Sequence, residues 1–113
     1  MTDLGHLRQR YERDHPAVQL GGLASNLSRI AWCAQRNEQA QSRLLFRESK
    51  YFAEWAAARC VPEQQYLLAD VQLQLAIWER GWGTRVPPAT IAQEAQQWSA
   101  KLLEVSGLLN VGS

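Results

Sequence analysis

The chain has 113 residues, 46% of them apolar and 20% charged, with twelve Lys and Arg set against eleven Asp and Glu. That length supports one core of three or four helices rather than two cores, so a single helical bundle domain over residues 1–113 is expected, and the composition lies far from the low-hydrophobicity corner of disorder. A formal net charge of +1 without any block of like charge argues against the basic stripe that nucleic-acid binding needs, and no apolar run approaches the roughly 20 residues that span a bilayer.

Every long segment keeps a helical period and none alternates apolar with polar residues in the manner of a strand, so the chain reads as all-α. A first short helix over about residues 2 to 15 carries Leu4, Leu7 and Tyr11 on one face and stops before Pro16, because the residue preceding a proline is pushed out of helical space. The second, over about residues 17 to 36, has a clean stripe of Leu20, Leu23, Ala24, Leu27, Ile30, Ala31 and Ala34. Gly21-Gly22 near its start either admits a close backbone approach or breaks the helix. A third is expected to open at Asn37 as its cap and to run to about residue 60, with Leu44, Leu45, Tyr51, Phe52, Trp55 and Ala56 as its main face. The fourth has Pro62 in its first turn and a stripe of Leu67, Leu68, Val71, Leu75, Trp78 and Trp82 ending near Gly81 and Gly83. After a Gly and Pro turn, the last helix covers about residues 89 to 106 with Ile91, Ala95, Trp98, Leu102 and Val105 inward. Gly107 then suits a left-handed cap over which Leu108 folds back. Short connections favour antiparallel neighbours, so the expected architecture is an antiparallel bundle of four main helices preceded by a short extra one.

Residues that carry chemistry are sparse. Glu12 and His15 have the Glu-x-x-His spacing of di-iron bundles, but the pair occurs once and Pro16 follows directly. No Ser, His and Asp grouping, glycine-rich phosphate loop or Cys-x-x-Cys motif is present, so no enzyme activity, metal or cofactor is expected. Cys33 and Cys60 read as free buried thiols, and the cluster of Arg8, Arg10 and Arg13 as a solvated face rather than a nucleic-acid contact. Glu48 falls inside the third helix's apolar stripe, where a carboxylate is costly to desolvate. Either a partner such as Arg29 satisfies it, or it is the carboxylate of a small-molecule pocket among aromatics.

Five tryptophans are many for this length, and four lie on the expected core stripes. Trp32 lies about 140° from its helix's stripe and is a candidate partner contact. The fourth helix carries a second apolar row, Tyr66, Leu73 and Ile77, about 150° from its first. One face cannot bury both, and a surface row invites another chain.

The segments Glu48-Ser49-Lys50-Tyr51-Phe52-Ala53-Glu54-Trp55, Leu73-Gln74-Leu75-Ala76-Ile77-Trp78, and Trp98-Ser99 with Leu102-Leu103-Glu104-Val105-Ser106-Gly107-Leu108-Leu109 resemble a family of small, all-helical, functionally uncharacterised cyanobacterial proteins. The resemblance extends over about residues 23 to 109. It implies a cytosolic bacterial protein and brings no catalytic residues with it. The amino terminus, Met1-Thr2-Asp3-Leu4-Gly5-His6, lacks a basic region followed by an apolar one, which again points to the cytoplasm. The expected function is that of an interaction or regulatory bundle, homodimeric through Trp32, Tyr66, Leu73 and Ile77. The alternative is a small-molecule-binding bundle that uses Glu48.

Overall fold

In a computed structural model describing residues 4–107, five helices follow one another: α1 (Leu4–Arg13), α2 (Pro16–Gln35), α3 (Gln39–Ala57), α4 (Pro62–Gly81) and α5 (Pro88–Ser106). Among the described residues there is no strand, only an isolated bridge between Trp82 and Val86. Helices α2 to α5 form an antiparallel up-down-up-down bundle, with α1 as a short addition against α2 and α3. The expected start at residue 2 and the fold-back of Leu108 lie outside the described residues.

Helix α2 is the central element and shares its most extensive contact with α5. Leu20, Leu23, Leu27 and Ile30 are essentially free of solvent, each contributing about 1.5–3 kcal/mol through burial. Along the α5 side, Ala24, Ser28 and Ala31 recur at helical spacing, as do Ala92, Ala95 and Ser99 on α5. Such small residues let two backbones come close. The Ser99 hydroxyl donates to the Ala24 carbonyl at 2.7 Å, and the Ser28 hydroxyl, 3.0 Å away, is left to donate to Ser99.

The α2 stripe lies where its periodicity put it, and so does that of α4, whose Leu68, Val71, Leu75, Trp78 and Trp82 are all buried. On α3 the expected face is turned. Leu44 is 63% exposed, whereas Ser42, Phe46, Ser49 and Ala53 are buried together with Phe52, Trp55 and Ala56. Phe46 packs its ring near Trp78 and Trp82 of the α4 end, centroids 6.4 and 6.1 Å away, so the buried side of α3 runs through Phe46 and the small residues Ser42, Ser49 and Ala53 rather than through Leu44. Helix α5 is turned in the same sense. Ala92 and Ser99 are buried, Trp98 is only half-buried beneath the Lys101 ammonium, and Val105 is exposed.

Asn37 does not open α3; it closes α2. Its φ of 55° is left-handed, its amide donates to the Ala34 carbonyl, and the Glu38 amide donates to the Cys33 carbonyl, which is the Schellman pattern of bonds. Asparagine tolerates that conformation because its short amide side chain is compatible with a left-handed backbone. Glu38 is then the residue that precedes α3. Gly107, with φ of 81°, ends α5 as its position implied. Gly21-Gly22 does not break α2, which runs unbroken through both; a methyl group on Gly22 would meet the Tyr11 ring at an ordinary contact distance of 3.6 Å. Gly81 is tighter still, since a methyl there would meet the Val86 side chain at 3.0 Å where the chain doubles back through Gly83.

Helix α1 is held by one aromatic ring. Tyr11 stacks on Phe52 with centroids 4.1 Å apart and lies 6.0 Å from Trp55. Its hydroxyl donates to the Gln19 carbonyl at 2.6 Å, and the buried Gln19 amide donates back to the Tyr11 carbonyl at 3.0 Å. Burial pushes the Tyr11 phenol well above its ordinary range, with Cys60 and Asp14 adding to the effect. Cys33 and Cys60 are free, buried thiols, both raised first by desolvation.

Two outcomes are expected. Because the folded state holds Tyr11 neutral while the unfolded phenol ionises near pH 10, its contribution is complete below about pH 10 and falls as pH rises beyond it. Denaturant midpoints measured at pH 8 and pH 10.5 should therefore drop more for the wild type than for Tyr11→Phe. Trp55→Ala should cost about 3–5 kcal/mol in the same assay, and the half-buried Trp98→Ala no more than about 2 kcal/mol.

Candidate interaction surface

Periodicity places five α4 positions, Tyr66, Asp70, Leu73, Ile77 and Arg80, along one stripe at alternating steps of four and three residues. All are exposed, and the apolar members keep 75% (Tyr66), 62% (Leu73) and 45% (Ile77) of their surface in contact with solvent. The stripe lies opposite the core face of Leu68, Val71, Leu75 and Trp78. Helix α4 is fastened by long side chains on its flanks. Lys50 pairs with Glu79 at 2.7 Å, the Gln72 amide donates to the Lys50 carbonyl, and the Trp78 indole donates to Glu94 of α5 at 3.0 Å. These contacts orient α4 so that its outer row meets no other helix among the described residues. The sequence showed Tyr66, Leu73 and Ile77 by their apolarity; Asp70 and Arg80 complete the stripe and were legible only through its spacing.

Trp32 is also exposed, at 53%, with the Arg36 guanidinium 3.6 Å above its ring and donating to its carbonyl. It does not extend the α4 row. In the bundle α2 stands diagonally across from α4, and Trp32 points away from the α2 core, so the two surfaces face opposite directions. Leu44 and Val61 are further exposed apolar residues outside the stripe.

Glu48 is half-buried and its carboxylate is occupied. The buried Asn26 amide of α2 donates to Glu48 Oε1 at 3.1 Å. The partner is Asn26 rather than Arg29, which is exposed one turn further along α2. Glu48 lines neither of two open grooves. One lies between α3 and α4 beside Arg47, Tyr51 and Glu54, the other between the end of α2 and the start of α5 among Gln35, Gln93, Gln96 and Gln97. Glu12 and His15 do not share a helix either, because α1 ends at Arg13 and His15 caps α2 by accepting from the Ala17 amide at 3.4 Å. Among the described residues no three His, Cys, Asp or Glu side chains come together in a group that could hold a metal. Arg8 pairs with Glu12 at 2.9 Å on the exposed face of α1. No helix among the described residues is long and apolar enough to cross a membrane.

The Glu48 contact yields a direct comparison. Asn26→Ala should cost about 1–2 kcal/mol in thermal or denaturant unfolding, because it leaves a half-buried carboxylate without its donor. Arg29→Ala should stay within about 0.5 kcal/mol of wild type.

Comparisons of the chain with protein-family models, with curated proteins and with solved structures find no match.

Proposed function

We propose that this protein is a non-enzymatic interaction bundle of the cytoplasm that acts by associating with protein through the outer face of α4, a second copy of the chain being its first partner. One observation carries the reading. Tyr66, Leu73 and Ile77 stand exposed along one stripe over three turns of a well-anchored helix, with Asp70 between the first two, and no element among the described residues lies over it. Scattered apolar residues on a surface need no explanation, but a row at helical spacing on a fixed helix is the form in which one helix recognises another. Three carboxylates of the bundle are engaged in holding its helices together. Glu48 holds Asn26, Glu94 holds the Trp78 indole, and Glu79 holds Lys50. A two-fold dimer uses the same patch twice, so a single row on each chain is sufficient to form it.

The experiment is Leu73→Glu combined with Ile77→Glu, followed by circular dichroism and by light scattering on a sizing column over a range of concentrations. A helical, cooperatively unfolding variant that has become monomeric where the wild type is dimeric is the expected result. A wild type that is monomeric throughout overturns self-association. A variant that keeps the wild-type dimer moves the interface away from α4.

A further inference from the structure

Building on the α4 interface above, we propose that two copies pair through α4 in antiparallel fashion, about a two-fold axis passing beside Leu75. This register sets Leu73 of each chain against the partner's Ile77 and Asp70 against the partner's Arg80. The observation behind it is the order of residues along the exposed stripe. Leu73 and Ile77 lie two residues on either side of Leu75, and Asp70 and Arg80 lie five residues on either side of it. In an antiparallel pair, residues equidistant from the axis face each other. The stripe therefore reads as acid, apolar, apolar, base in one direction and meets its own reverse as base, apolar, apolar, acid.

Both charged residues are exposed, and neither belongs to the ion pairs found among the described residues, which are Arg8 with Glu12 and Lys50 with Glu79. Asp70 and Arg80 stand about 15 Å apart along the helix, too far to pair within one chain. Other arrangements lose the match. Parallel pairing brings Asp70 onto Asp70 and Arg80 onto Arg80, which is repulsive at both ends. An antiparallel register centred on Leu73 opposes Asp70 to Ala76 and Ile77 to Ala69, leaving the charges unpaired and the largest apolar contact weakened.

The test uses the full chain with Asp70→Arg, with Arg80→Asp and with both changes, each checked for wild-type helicity by circular dichroism. Each single change turns two attractive pairs into two repulsive ones and should weaken self-association by about tenfold or more at low salt. The double variant should pair with itself as the wild type does, because the acid and the base have exchanged places and still meet across the axis. An equimolar mixture of the two single variants, followed by energy transfer between differently labelled chains, should form the mixed dimer about tenfold or more in preference to either self-pair. Added salt should reduce that preference. If the single variants self-associate like wild type and the mixture shows no preference while the Leu73 and Ile77 double variant is still monomeric, α4 is the interface but this register is wrong. If the wild type is itself monomeric, both the register and the self-association beneath it are overturned.

Discussion

The close approach of α2 and α5 is the constraint from which the arrangement of the other helices follows. Where Ser99 donates to the Ala24 carbonyl, the hydroxyl of one helix reaches the main chain of the other. Such a bond forms only where the intervening side chains are small, and Ala92, Ala95, Ala31 and Ser28 meet that condition along the seam. Removing these polar groups from water is tolerated because Ser28, Ser99 and the carbonyl are linked in one short chain of donors and acceptors. With α2 and α5 drawn together, α3 occupies the other flank of α2, and α4 fills the remaining corner of the bundle.

That corner explains the character of α4. Its backbone does not approach α5 as closely as α2 does, so the gap is bridged by large residues, chiefly Trp78, whose indole is satisfied by Glu94. Towards α3 the same helix is tied through Lys50, Glu79, Gln72 and the packing of Phe46 beside Trp78 and Trp82. A helix pinned on two flanks and packed along one face has no freedom to roll. Its fourth side therefore stands towards solvent with the apolar row held in place, which is the preorganisation that an interaction surface requires.

Several polar side chains elsewhere in the bundle hold it together. Asn26 and Glu48 tie α2 to α3, Gln19 and Tyr11 tie α1 to α2, and Arg59 donates to the main-chain carbonyls of Glu12 and Asp14. On the outer stripe of α4, Asp70 and Arg80 flank Leu73 and Ile77, and neither forms an ion pair among the described residues.

The helical class, the number of helices, the buried faces of α2 and α4, the left-handed Gly107 and the apolar row of α4 were all legible in the chain of residues, because each follows from local periodicity or from one residue's backbone preference. Hidden there were the rotation of α3 and α5 and the role of Asn37. On α3 and α5 the large residues Leu44, Trp98 and Val105 drew the expected stripe towards themselves, whereas the buried faces run through Ser42, Ser49, Ala92 and Ser99. A serine in sequence is equally at home in water or against a carbonyl, and only the separation of two backbones decides between them. Asn37 likewise suits either the start of a helix or the end of one, and the bonds from Asn37 and Glu38 back to Ala34 and Cys33 chose the end. The diagonal separation of Trp32 from the α4 row was tertiary for the same reason. Helical spacing tells which residues share a face of one helix, and only packing tells which way that face looks.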